Sequence, residues 1–250
     1  MIFIALLSFL LLVNTNPSQG AEIIGGTEVK PHTLPFMALV QSDQTYCGGT
    51  LIHPKWVLTA AHCARSGPVK KVILGLHSLK NTEEDFKEER KVARQVIHPC
   101  FNTDLAINDL MLLELDQPVK KTKAVNWLIL GEKGNYPKNG MSCLVAGWGQ
   151  TRYFNGAGSD VLLSAPVTVI DRTLCKQYGE WPFITKGMIC AGFVGKNQGG
   201  VWKGDSGGPL LCNKALVGVT SFGKPLRPGV FAYLSGERLA WIKETIENTK

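Results

Sequence analysis

A serine set among glycines, Gly204-Asp205-Ser206-Gly207-Gly208, is the segment of this 250-residue chain best suited to nucleophilic chemistry. Glycine permits a tight turn with bare backbone N–H groups, so a serine there can attack a carbonyl beside donors for the oxyanion that forms. The segment also fits G-x-S-x-G, the strand-to-helix elbow whose histidine follows the serine. All five histidines (His32, His53, His62, His77 and His98) precede Ser206, which excludes the elbow. A general base must come from upstream. In Thr59-Ala60-Ala61-His62-Cys63, small residues can pack the turn beside the imidazole and a cysteine can staple it. Asn108-Asp109 heads the apolar run Leu110-Met111-Leu112-Leu113, where a carboxylate would be buried and would need a partner. Together these supply a base, a carboxylate and a nucleophile in the order His62, Asp109, Ser206.

The elements that must position them are short. Apolar runs recur at 36–40, 50–58, 72–76, 110–115, 142–146, 161–169, 210–219 and 229–234, most of them bounded by Gly, Pro, Asn or Ser. Val, Ile and Leu runs of this length predict buried strands of an all-β fold. Leu239, Ile242 and Ile246 instead repeat at spacings of 3 and 4, which predicts one amphipathic C-terminal helix with Ser235 as N-cap and Glu237 in its first turn. The polar stretch 118–140, interrupted by Trp127 to Leu130, is the linker candidate between two halves of similar size. With 44% hydrophobic and 19% charged residues the chain can bury a core, and it shows neither a fixed-period repeat nor a sustained heptad.

Residues 1–13 form an apolar run broken only by Ser8, shorter than the ~20 residues a membrane-spanning helix needs. Small residues at Ser18 and Gly20 then predict a signal peptide over 1–20, cleaved after Gly20. The mature chain is expected to be secreted or stored in secretory granules, with no membrane span. Seven cysteines suit that compartment. No C-x-x-C pair and no histidine pair at helical ligand spacing are present, so disulfides are expected and a metal site is not. The odd count leaves one thiol over, and six paired cysteines allow 15 connectivities. The first 22 residues hold no Lys or Arg and one acid, Glu22, so removing them raises the formal charge from +7 to +8. Lys70-Lys71 and Lys120, Lys121 and Lys123 are the densest basic clusters, and no aromatic-interleaved nucleic-acid motif accompanies them. They point to polyanions such as sulfated proteoglycan, not to nucleic acid.

The sequence resembles the trypsin/chymotrypsin family of serine peptidases over essentially all of residues 23–250. The landmarks are Ile23-Ile24-Gly25-Gly26, Cys47-Gly48-Gly49, Thr59-Ala60-Ala61-His62-Cys63, Asn108-Asp109, Ala146-Gly147-Trp148-Gly149, Gly204-Asp205-Ser206-Gly207-Gly208-Pro209 and Pro228-Gly229-Val230. The resemblance implies two antiparallel six-stranded β-barrels, about 23–128 and about 129–250, with the active site between them and the helix on the outside. It makes Ser206 the nucleophile, His62 the base, Asp109 the group that orients the imidazole, and the Gly204 and Ser206 N–H groups the oxyanion hole. It implies the pairs Cys47–Cys63, Cys143–Cys212 and Cys175–Cys190, leaving Cys100, expected as a buried thiol. The protein is then a monomer unless Cys100 bridges two copies.

Activation, by the same resemblance, frees the amino group of Ile23 to pair with Asp205. The dipeptide Ala21-Glu22 resembles the pro-segments of granule proteases. Pro31-His32, the Pro-Phe-Met that follows, and Trp202-Lys203 also resemble the granzyme, chymase and cathepsin G branch, in which His62 would idle protonated in an acidic granule. The resemblance puts the pocket floor six positions ahead of Ser206, on uncharged Gly200, beside Val201, with walls at Gly223 and Gly229, Lys203 at its rim and Ser221 among the substrate-binding residues. Such a slot should take Phe, Tyr, Trp, Leu or Met before the scissile bond. Two alternatives stand beside it: an acidic preference read through Arg227 or Lys203, and a catalytically silent cationic binding or antimicrobial protein. The disulfide that usually staples this pocket is missing, since Trp202 replaces its first cysteine and no cysteine lies between Ser221 and Gly229. Packing of Trp202 should replace it. Protein and peptide substrates and a serpin-type inhibitor are the implied partners. No cofactor is expected, and Leu76 stands where the family's calcium loop begins with Glu.

Overall fold

The computed structural model describes residues 25–81, 86–132, 134–152, 156–179, 181, 183–192, 200–201 and 203–248. The expected leader, the Ala21-Glu22 dipeptide, Ile23 and Trp202 lie outside them. Among the described residues, twelve strands form two barrels. In the first, β2 (Met37–Gln41), β3 (Tyr46–His53), β4 (Trp56–Thr59), β5 (Lys71–Leu74), β6 (Glu88–Ile97) and β7 (Met111–Leu115) close antiparallel in the order β2-β3-β4-β7-β6-β5. In the second, β8 (Ser142–Gly147), β9 (Leu163–Ile170), β10 (Met188–Gly192), β11 (Pro209–Cys212), β12 (Ala215–Phe222) and β13 (Gly229–Tyr233) close because β8 pairs with both β9 and β11. A short β1 (Thr27–Glu28) adds to β9, with Thr27 opposite Ser164. The helices are α1 (Arg172–Gly179) and α2 (Gly236–Glu247). None of the described helices is long and apolar enough to cross a membrane.

The strands follow the apolar runs where one face or both are buried. All five residues of β7 are buried. Its Glu114 is tolerated there because Lys55 Nζ at 3.0 Å and Arg94 Nε at 2.9 Å hold its two oxygens. The single run 50–58 is in fact two strands, parted by the turn at Pro54 and Lys55. The run 210–219 is likewise split by Asn213 and Lys214, at φ 50° and 65°, the left-handed pair of a two-residue hairpin turn. β6 carries no apolar run, because its residues lie on the barrel surface and alternate between half-buried and exposed.

The cores are continuous: Leu211, Val219 and Ala232 of the second barrel share one buried cluster with Leu58, Leu112 and Leu113 of the first. Leu239 and Ile242 of α2 join it, as their spacing predicts. Ser235 takes the N-cap position of α2, but its hydroxyl makes no capping bond. The stretch 118–140 has no described strand or helix, and Trp127, Leu128 and Leu130 pack on the first core.

The disulfides are Cys47–Cys63, Cys143–Cys212 and Cys175–Cys190, each worth typically about 2–4 kcal/mol. The expectation of a buried Cys100 is overturned, for this thiol is exposed. Cys100 follows Pro99 in the surface turn after β6. There its N–H donates to His98 Nδ1 at 3.2 Å and its carbonyl accepts from Asn108 Nδ2 at 3.0 Å. The loop is held by its backbone and needs no buried side chain at that position.

Candidate active site

His62 sits on a single turn of 3-10 helix, Ala61–Ala64, that begins where β4 ends. Ala60 and Ala61 are buried, the small residues that such a close approach needs. Cys63 ties the turn to β3, and Thr59 Oγ1 donates to the Gly48 carbonyl at 2.8 Å. The imidazole faces Asp109, which precedes β7 and is fully buried. Asp109 accepts the His62 N–H at 2.9 Å through Oδ1 and the ring Nδ1 at 2.7 Å through Oδ2. The Ser221 hydroxyl of β12 donates to the same Oδ2 at 2.5 Å. A carboxylate can only accept, so Nδ1 carries the proton and Nε2 is left as the ring's acceptor. The imidazole itself is about a quarter exposed, 24%.

The Ser206 turn is pressed against this assembly by contacts that only glycine allows. The Gly48 N–H donates to the Ser206 carbonyl at 2.7 Å. A Cβ on Gly207, whose φ is +79°, would fall 2.1 Å from Thr59 Oγ1 and 3.1 Å from the Ala60 nitrogen. The Ser206 turn therefore lies on the strand end that leads into His62. Among the described residues neither the Gly204 nor the Ser206 N–H has an acceptor, and the Ser206 hydroxyl has no hydrogen-bond partner. A serine–histidine contact would have to tighten on substrate binding, as catalytic hydrogen bonds often do.

Asp205 is buried at 1% exposure. Its Oδ1 accepts the Gly149 N–H at 2.9 Å. A Cβ on Gly147 or Gly149 would lie 2.4 Å from its carboxylate atoms, which explains both glycines flanking Trp148. The carboxylate is felt by Tyr46, whose phenol is pushed above its ordinary pKa by burial and then by the charge of Asp205.

Of the expected pocket residues, Gly223, Gly229 and Val201 meet. The Cβ position of Gly223 lies 3.7 Å from the Val201 carbonyl and 3.8 Å from Gly229 Cα. A Cβ on Gly229 would fall 2.6 Å from Val201 Cγ2, and one on Gly200 would meet nothing within 4 Å. Val201 is buried and belongs to the second-barrel core with Ile189 and Phe231. Lys203 is exposed, and its carbonyl accepts the Gln150 N–H at 2.7 Å. Arg227 is half-buried in the loop between β12 and β13, where its N–H donates to the Lys224 carbonyl at 3.2 Å.

Two features carry no sequence signal. The side chain of Ser221, expected among the substrate-binding residues, is turned to Asp109. Arg238 of α2 reaches Asn108, beside Asp109, across 130 positions of sequence. Among the described residues one cluster could hold a metal ion, Cys47, His62 and Cys63. Its two sulfurs are bonded to each other and its Nδ1 is taken by Asp109.

The profile of the Trypsin family matches residues 23–242. Granzyme A of Bos taurus is 41% identical over 243 residues, covering 95% of this chain and 93% of the relative. Chymase of Canis lupus familiaris is 38% identical over 253 residues, covering 98% of each. Among solved structures, the human heparin binding protein superposes with a TM-score of 0.81 at 31% identity, over 90% of this chain and 97% of the other.

Proposed function

From membership of the trypsin family of serine endopeptidases, to which this chain belongs, we propose an active, granule-stored or secreted peptidase that cleaves after large apolar or aromatic residues. The observation that carries the reading is the Asp109 carboxylate holding His62 Nδ1 at 2.7 Å, on the strand end against which the Ser206 turn is packed. Ser206 Oγ attacks the scissile carbonyl while its proton passes to His62 Nε2. The C–N bond then breaks, and the same proton leaves on the amine. Water repeats the sequence on the acyl-enzyme and restores the hydroxyl. The Gly204 and Ser206 N–H groups receive the oxyanion, each donor worth about 3–4 kcal/mol in the transition state.

Specificity follows from an uncharged slot. Gly200, Gly223 and Gly229 add neither a side chain nor a charge, and burying a Phe- or Leu-sized group is worth about 1.5–3 kcal/mol. Activation is assigned to a free Ile23 amino group pairing with buried Asp205, and removing one partner of such a pair costs on the order of 3–5 kcal/mol. The basic surface fits sulfated proteoglycan, and a serpin-type inhibitor fits an open peptidase cleft.

A second reading, a silent polyanion-binding protein, is favoured by the net charge of +7 and the likeness to the heparin binding protein. The test is a peptide library varied before the scissile bond, offered to protein starting at Ile23, with Ser206→Ala as control. Cleavage after Phe, Tyr, Leu or Met that the substitution abolishes is expected. Cleavage after Asp or Glu would overturn the apolar slot, and no cleavage would favour the silent binder.

A further inference from the structure

Arg238 is an anomaly by elementary electrostatics. It is only 6% exposed, it stands in the first turn of α2, where the helix dipole disfavours a cation, and no carboxylate among the described residues pairs with it. Burial pushes its pKa below the usual arginine value. What it has instead are oxygens. Nη1 donates to the carbonyls of Gly187 and Tyr233. Nε at 3.0 Å and Nη2 at 2.6 Å both donate to Asn108 Oδ1.

Asn108 is the residue before Asp109, and its side-chain amide and its carbonyl are both held. Its Nδ2 donates to the Cys100 carbonyl at 3.0 Å. A guanidinium only donates and a carbonyl only accepts, so the amide can face one way only. Its backbone is left-handed, φ 55°, a conformation asparagine tolerates better than most residues. Its carbonyl accepts the Leu110 N–H at 2.7 Å, closing a three-residue turn with Asp109 at the centre. The direction in which Asp109 leaves the chain is therefore set by Asn108, and Asn108 is set by Arg238.

We propose that Arg238 is a positioning residue for the catalytic carboxylate: from the C-terminal helix it clamps Asn108 and so aims Asp109 at His62. This inference rests on the peptidase reading for its catalytic consequence. A staple between barrel and helix would be complete with the Gly187 and Tyr233 carbonyls. The fork on a single amide oxygen of the first barrel is what links α2 to the site.

The test uses Arg238→Met in the chain starting at Ile23, with Asn108→Gly, which keeps the left-handed backbone and removes the amide. In either variant kcat should fall about 10- to 100-fold, the scale of a misplacement near 1 Å, while KM stays within about twofold. Because both act through one contact, the double variant should lose little more than either single one. A structural readout independent of turnover is the NMR resonance of the His62 Nδ1 proton in the Ser206→Ala background. It should be sharp in the parent and broadened or lost in Arg238→Met. If Arg238→Met does not fold, Asn108→Gly carries the same two readouts. An unchanged resonance and unchanged kcat in a folded variant would overturn the proposal. Absence of Ser206-dependent turnover in the parent would overturn the peptidase reading instead, and the resonance would still decide the clamp.

Discussion

Filling the slot at Gly223 should change what is cleaved without changing how. The Cβ position of Gly223 lies 3.7 Å from the Val201 carbonyl and 3.8 Å from Gly229 Cα, ordinary van der Waals contact, so the Cβ of Gly223→Val moves neither neighbour. Its methyl groups must then enter the space between the two glycine walls. A large side chain before the scissile bond would lose most of its burial there. At about 1.5–3 kcal/mol for a Phe or Leu, that is about 10- to 150-fold in kcat/KM. A substrate with Ala at that position should be turned over within about twofold of the parent, since the triad is untouched. The assay is kcat/KM on matched p-nitroanilides with Phe, Leu and Ala before the bond. Gly229→Ala is the contrasting variant: its Cβ would fall 2.6 Å from Val201 Cγ2 in the second-barrel core, and overpacking of that kind costs about 1–3 kcal/mol of stability. An unchanged Phe-to-Ala ratio in folded Gly223→Val would refute the assignment of the slot.

His98 packs at a tilt against Trp241 with ring centroids 4.7 Å apart, and burial, then the charge of Arg238, lowers its pKa. The unfolded chain then binds the proton first, so stability declines as pH falls through about 6.5; His98→Gln should lessen the fall in melting temperature between about pH 7 and pH 5. Gly207→Ala should cost several kcal/mol, because its Cβ would fall 2.1 Å from Thr59 Oγ1 at a φ of +79°. At about 2–4 °C per kcal/mol for a domain of this size, calorimetry should register a drop of about 10 °C, and a drop under 2 °C would contradict the seam between the Ser206 turn and β4.

Much of this was legible because chemistry and burial leave local marks. A buried strand such as β7 is an apolar run, α2 shows its 3- and 4-residue spacing, and His62, Asp109 and Ser206 sit in short, dense motifs. β6 left no such mark, because a barrel-surface strand held by ladder bonds and ion pairs can be written in charged residues, as Glu88–Ile97 is. The exposure of Cys100 depends on a turn in which its backbone N–H and carbonyl bond the His98 and Asn108 side chains. The Ser221 bond to Asp109 and the Arg238 clamp span 112 and 130 residues, so no spacing rule could have joined them. The glycines were partly legible: those around Ser206 mark a turn, but that Gly147 and Gly149 cradle Asp205 follows only from their closeness to its carboxylate.

We propose that His62, Asp109 and Ser206 act together beside a neutral slot. The most direct test is the rate of hydrolysis of peptides carrying Phe, Lys or Asp before the scissile bond, by protein whose chain begins at Ile23, beside the same protein with Ser206→Ala. Turnover of the Phe peptide well above the other two, abolished by the substitution, is the expected result. Equal turnover by Ser206→Ala, or a preference for Lys or Asp, would contradict it.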